Sequence, residues 1–283
     1  MLELMDNTLK SSAEVEELLE IPLLGLLPPL PSNKLKLKST EIFLENFSLL
    51  EPYRSLLKNL DNRRIEKPRL IIVSSTSSGE GKSVVASHLA TVSAMLSQRT
   101  LIIDANLRRP TQHNLFDLLP TQGITDVIDG KQSLLETVQP TNIDYLHVLT
   151  CSKEQQPSSQ LLESAKIHTI LAEAANKYDL VIIDTNNLSD KPDAAILSKN
   201  SDGLIIVTRP GFTRKELLQK TVSELNKSCV PILGVVVNDE ITSIKEKHYH
   251  SWAINSYEPI KNLAAVESKA NNTANKANGL RAN

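Results

Sequence analysis

Residues 69 to 83 read Arg-Leu-Ile-Ile-Val-Ser-Ser-Thr-Ser-Ser-Gly-Glu-Gly-Lys-Ser. An aliphatic run, Leu70 to Val73, leads into small residues that end in Gly79-Glu80-Gly81-Lys82-Ser83. Small residues let backbone N–H groups converge on one point, and a neighbouring cation favours an anion there. That chemistry suits a phosphate chain. Loop amides and a helix N-terminus cradle the oxygens, Lys82 reaches the β- and γ-phosphates, and the Ser83 hydroxyl can ligate Mg2+. The candidate nucleotide contacts in this loop are Gly79, Glu80, Gly81, Lys82, Ser83 and Val84. The general pattern has glycine six residues before the lysine, and Thr76 stands there instead.

Carboxylates that could hold the cation follow two other aliphatic triplets. Leu101-Ile102-Ile103 runs into Asp104-Ala105-Asn106-Leu107-Arg108-Arg109-Pro110, and Val181-Ile182-Ile183 into Asp184-Thr185-Asn186-Asn187. Open α/β sheets bind ligands at the carboxyl ends of their strands, where these aspartates would lie. Asp184 is the better candidate for holding Mg2+ through water. Either aspartate alone would read equally well as a turn or helix cap. Arg108 and Arg109 fit a phosphate, a partner or a solvated face.

The elements that position these groups are written in the same pattern. Aliphatic runs recur at Ile21–Leu27, Leu70–Val73, Leu101–Ile103, Tyr145–Leu149, Leu180–Ile183, Leu204–Val207 and Ile232–Val237. They do not alternate with polar residues, which is the mark of strands covered on both faces in a parallel sheet. Stretches of helical period separate them at Lys82–Leu96, Ser158–Lys177 and Thr213–Lys227. The series predicts an α/β fold with a doubly wound, mostly parallel sheet flanked by helices.

Residues 1–68 are expected to form an N-terminal linker and helical segment, 69–263 the nucleotide-binding domain, and 264–283 a disordered tail rich in Asn, Ala and Lys. The first part should hold a helix over Ala13–Leu19, opened by a capping box of Ser11 and Glu14, and a second helix around Glu45–Leu60. The 283 residues are 40% hydrophobic with a formal net charge of −2. That balance excludes a wholly disordered chain and lacks the basic excess of a nucleic-acid binder. No apolar run reaches the roughly 18 residues of a membrane span, and the N-terminus has no secretory pattern. A cytoplasmic setting is expected. Cys151 and Cys229 read as small core residues, and His248-Tyr249-His250 makes a poor metal site. Asp190, Lys191 and Asp193 read as a loop and helix start.

Taken together, the phosphate loop, Asp104 to Pro110 and Asp184 to Asn187 resemble the cytoplasmic domain of bacterial protein-tyrosine kinases. These govern capsule and exopolysaccharide chain length and share a fold with septum-site and plasmid-partition ATPases. The resemblance runs from about Asp6 to Asp239. It implies a cytoplasmic Mg-ATP-dependent autokinase at the inner face of the plasma membrane, docked on a membrane-spanning chain-length regulator that is fused or separate. By the same resemblance, Lys82, Asp104, Asn106 and Asp184 occupy catalytic positions. Ser83, Asp104 and Asp184 occupy metal positions, and Asn238 sits where relatives read the adenine base. Glu51 and Arg54 begin a subunit-contact helix that implies a homo-oligomer.

The chain departs from that family in four places. Asn106 replaces an aspartate, Asn186-Asn187 replace a proline ending, Leu57 replaces an arginine, and the C-terminal region lacks a tyrosine cluster. Only Tyr249 and Tyr257 lie beyond the last expected strand, so self-phosphorylation is expected there. An asparagine cannot accept a proton from a phenol, which keeps a second reading open: a non-catalytic, nucleotide-dependent regulator of a membrane partner. A partition-type ATPase is a third reading, against which Ser74 to Ser78 lack the additional lysine such loops carry.

Overall fold

The computed structural model describes residues 6–30, 39–44, 46–62, 67–152, 159–162, 164–189 and 193–240. The elements are α1 (Ser12–Leu18), β1 (Leu23–Leu27), α2 (Ser39–Leu44), α3 (Phe47–Asn62), β2 (Leu70–Ser75), α4 (Lys82–Met95), β3 (Thr100–Asp104), α5 (Gln112–Leu115), α6 (Ile124–Asp129) and α7 (Leu134–Thr137). They continue with β4 (Gln139–Pro140), β5 (Leu146–Leu149), α8 (Ser159–Leu162), α9 (Ala165–Lys177), β6 (Leu180–Asp184), α10 (Asp193–Ser198), β7 (Gly203–Thr208), α11 (Lys215–Lys227) and β8 (Ile232–Asn238).

The strands form one sheet in the order β1-β8-β7-β2-β6-β3-β5-β4. Every pairing is parallel except β4 with β5. Successive side chains of a strand point to opposite faces, and here both faces are covered. Ile72, Ile103, Ile183, Ile206 and Val237 pack into one core with residues of α1, α6, α9, α10 and α11. Their neighbours Ile71, Ile102, Ile182, Ile205 and Val236 pack into the other with α3 and α4. Strands wetted on neither side have no reason to alternate, which is why they stood out as unbroken aliphatic runs.

The expected doubly wound fold is therefore found, with corrections of detail. The strand foreseen from Ile21 begins at Leu23. The helix foreseen over Ser158–Lys177 is two helices, α8 and α9. Ser164 takes an extended conformation before α9 and returns its hydroxyl to the Leu161 carbonyl at 2.9 Å. The capping box of Ser11 and Glu14 does not form. Ser11 makes no side-chain cap, and the Glu14 carboxylate instead accepts from the Lys10 N–H at 2.7 Å and from Lys215 Nζ at 3.0 Å. Cys151 is buried as expected, but Cys229 is exposed at φ +54° in the turn after α11. The expected tail at 264–283, the His248–His250 group, Tyr249 and Tyr257 lie outside the described residues.

The N-terminal segment forms a short strap beside the loop after β7. The Leu9 N–H donates to the Thr213 carbonyl at 2.8 Å, Gly211 N–H to Leu9 at 2.7 Å and Lys215 N–H to Asn7 at 2.9 Å. Leu9 is buried there. The strap thus fixes the loop that carries Thr213, a residue that reaches the phosphate loop.

Candidate functional site

The loop between β2 and α4 turns on Gly79 and Gly81, at φ +94° and +91°. A Cβ at Gly81 would come within 2.2 Å of Asn238 Nδ2, so both conformation and space demand glycine there. Thr76, where the general pattern has glycine, does not adopt positive φ and is buried, so a threonine is accommodated. Its carbonyl accepts the Ser189 N–H at 3.3 Å, tying the loop to the segment after β6. Lys82 and Ser83 begin α4, where backbone N–H groups have no partner within the helix.

Glu80 is placed differently from its neighbours in the loop. Its side chain is fully buried and points into the protein. The carboxylate accepts the Ser77 N–H at 2.8 Å and the Thr213 hydroxyl at 2.5 Å. Burial raises its pKa, opposed by these donors. Its backbone carbonyl accepts Asn238 Nδ2 at 2.9 Å. Glu80 therefore braces the loop from behind, and the Asn238 amide nitrogen is spent on the same loop.

The two acidic motifs meet beside Ser83. β3 and β6 are paired in register so that Asp104 and Asp184 are direct neighbours, and both are fully buried. The Asp104 carboxylate accepts the backbone N–H groups of Thr111 at 2.8 Å, Gln112 at 2.9 Å and Asn106 at 3.2 Å. Burial and the facing Asp184 nonetheless push it up to about 8. Burial also raises Asp184, while Lys82, Gln112 and Ser83 stabilise its charged form. Asp184 Oδ2 accepts Gln112 Nε2 at 2.7 Å, and Oδ1 is buried with no hydrogen-bond partner among the described residues. Two adjacent carboxyls that resist ionisation, one with an unused oxygen beside a serine hydroxyl, are a donor set suited to a hard divalent cation. Among the described residues no cluster of three His, Cys, Asp or Glu side chains offers a second place for a metal.

Asn106 is buried at the edge of this group, and its side-chain oxygen accepts the Arg109 N–H at 3.3 Å. Arg108 and Arg109 are exposed. Asp193 starts α10 as expected and accepts Asn186 Nδ2 at 2.6 Å. Glu51 and Arg54 lie on α3, a 3.6 Å ion pair with both side chains about one-third exposed. The structure thus brings Lys82, Ser83, Asp104, Asn106 and Asp184 together and puts Glu80 behind them. Sequence reasoning missed Gln112 and Thr213. Both lie in loops or at helix starts without a motif, and only their hydrogen bonds single them out.

A strand–loop–helix phosphate cradle with acids at the ends of adjacent parallel strands defines a P-loop nucleotide-binding protein. Residues 66–267 match the family described as ParA, the NUBPL iron-transfer P-loop NTPases, and the chain belongs to this ParA family of P-loop NTPases. Its relatives include the tyrosine-protein kinase YwqD of Bacillus subtilis, 35% identical over 66% of this chain and 80% of that one. Among solved structures it is similar to the chimerical protein CapA2B2, with a TM-score of 0.74, 25% identity and coverage of 82% of this chain and all of that one. The kinase domain of the Escherichia coli tyrosine kinase ETK gives a TM-score of 0.72 at 25% identity, covering 81% and 93%. The expected resemblance to bacterial tyrosine kinases is thus found.

Proposed function

We propose that this chain binds Mg-ATP and transfers its γ-phosphoryl group to tyrosine, in the control of capsule or exopolysaccharide polymerisation and export. The observation that carries the reading is the placement of Lys82 and Ser83 at the head of α4 near Asp184, whose buried Oδ1 has no hydrogen-bond partner among the described residues. Lys82 and the loop amides would hold the phosphates, and Ser83 with Asp184 would hold the cation. A bound Mg2+ neutralises charge on the transferring group. In the transfer, the phenol oxygen attacks the γ-phosphorus, the bond to the β–γ bridging oxygen breaks, and ADP leaves. The phenol proton passes to Asp104 or to solvent water, because the Asn106 amide is not an acceptor for it.

That amide favours the second reading, a nucleotide-dependent regulator with little transfer of its own. Both readings place the chain at the inner face of the membrane through a spanning partner, fused or separate. Among the described residues no helix is long and apolar enough to cross a bilayer. They also share a homo-oligomer contact through Glu51 and Arg54, and adenine recognition at Asn238 through its remaining amide oxygen. Calorimetric titration with Mg-ADP tests the nucleotide site. Incubation with Mg-ATP, read by anti-phosphotyrosine and by mass spectrometry, tests transfer. Binding without detectable phosphotyrosine on any substrate would leave the regulatory reading standing, and no binding by the folded protein would overturn both.

The candidate acceptors divide by burial. Tyr53 and Tyr178 are buried, whereas Tyr145 is 55% exposed in the turn before β5. Tyr249 and Tyr257 remain the proposed sites, and modification mainly at Tyr145 would overturn that assignment.

A further inference from the structure

Gln112 belongs to no motif, yet it touches all of them. It is the first residue of α5 and is fully buried. Its backbone N–H donates to Asp104 Oδ2 at 2.9 Å. Its side-chain Nε2 donates to Asp184 Oδ2 at 2.7 Å and to the Ser83 carbonyl at 3.1 Å. Both of those neighbours are acceptors, so the amide nitrogen must face them and the amide oxygen must face away. That oxygen, Oε1, is buried and has no partner among the described residues, as is Asp184 Oδ1.

Buried acceptors without donors are rare in native proteins, and each needs an explanation. Two of them, on side chains hydrogen-bonded to one another beside Ser83, suit one shared ligand. A hydrated divalent cation supplies what both lack: positive charge for the carboxylate oxygen and water hydrogens for the amide oxygen. We infer that Gln112 is a positioning residue for the divalent cation. Its amide N–H holds Asp184 Oδ2 so that Oδ1 is left for the cation shell, and its Oε1 accepts from a cation-bound water. Groups that hold a metal's ligands in place commonly matter to affinity about as much as some ligands do. By gripping the Ser83 carbonyl as well, Gln112 fixes the start of α4 against the end of β6.

This inference rests on the Mg-nucleotide reading above, and the test separates the two. ADP affinity is measured by calorimetry in excess EDTA and in excess MgCl2, for the unmodified protein and for Gln112→Leu. The quantity read is the ratio of the two affinities, in which general damage to the site cancels. The ratio is expected to fall by about tenfold in Gln112→Leu, the size of one lost hydrogen bond to a charged group. Gln112→Asn keeps the amide but retracts it by one methylene, and should also lose part of the ratio; it serves if the leucine variant does not fold. Titration of Mn2+ into protein with ADP, followed by electron paramagnetic resonance of the free ion, should show the same weakening without reference to turnover. An unchanged ratio in folded variants would overturn the inference, as would equal losses in EDTA and in MgCl2. Failure of the unmodified protein to bind ADP in either condition would overturn the nucleotide reading, and this inference with it.

Discussion

The loop after β2 and the loop after β3 meet at one site but are built to different standards. The first is held from behind by Thr213 and Asn238 and keeps its lysine and serine at the head of α4. The second spends Asp104 on three backbone amides and sets a neutral amide, Asn106, at the edge of the acid pair. In the reading proposed above, the first loop would serve nucleotide binding and the second would govern transfer. On that reading binding and turnover are separable, because different strands supply the groups for each.

The largest expected effect restores the weaker loop. Asn106→Asp is nearly isosteric, and its carboxylate can still accept the Arg109 N–H that Asn106 now holds. It adds a base and a negative charge. A positioned general base is typically worth about 10²–10⁴ in rate. Tyrosine phosphorylation of an added tyrosine-rich peptide should rise within that range, while ADP affinity changes little. Equal rates for both proteins, at the level of an active relative, would show that Asp104 suffices and would remove the contrast between the loops.

The stronger loop is broken by Lys82→Met. Losing one charge-assisted contact to phosphate costs about 1.5–3 kcal/mol, roughly ten- to a hundredfold in affinity. Calorimetry with Mg-ADP should show that loss with the circular dichroism unchanged. Undiminished affinity would mean that the loop amides alone carry binding.

These two loops also mark the limits of what the residues disclose in order. The strands were legible because burial on both faces writes them as unbroken aliphatic runs. β4 was not, because it is two residues long and contains Pro140, tolerated at this sheet edge. The short helices α5 to α7 carry too few turns to show a period. Lys82, Ser83, Asp104 and Asp184 were legible because each stands at the end of an element, where a ligand would be met. Gln112 was not, because its part depends on how Asp104 folds the following loop back over β6. Glu80 is a candidate nucleotide contact by its position, and only the fold shows that its carboxylate is buried against the Ser77 N–H and the Thr213 hydroxyl.

A pH series compares the loops without any substitution. The Asp104 carboxyl, raised to about 8 by burial and by Asp184, holds its proton more tightly folded than unfolded. Between its ordinary value near 4 and about 8 the folded state therefore binds more protons. The contribution of this buried pair to stability therefore falls as pH rises through that window. The melting temperature of the nucleotide-free protein in EDTA should decline from pH 5 to pH 8. Saturating Mg-ADP should flatten the decline, because the cation favours the ionised pair. A melting temperature that rises across this range in EDTA would contradict the assignment.

The smallest effect tests the brace behind the phosphate loop. The Thr213 hydroxyl donates to Glu80 Oε1 and accepts the Arg209 N–H at 2.8 Å. Thr213→Val keeps the shape and removes both bonds, leaving a buried carboxylate oxygen and a backbone N–H each short of a partner. Such losses cost about 1–3 kcal/mol, which for a domain of this size lowers the melting temperature by roughly 2–4 °C per kcal/mol. ADP affinity should weaken by a few fold, because the carboxylate that holds the Ser77 N–H has lost its own support. Thr213→Ser retains the oxygen and should restore most of both quantities. The brace is a matter of hydrogen bonding only if valine and serine differ in this way. If instead valine stays near the unmodified protein and serine is impaired, the methyl group and not the hydroxyl holds the 209–215 loop against the phosphate loop. The rigidity of the stronger loop would then owe more to packing and to the Leu9 strap than to Glu80.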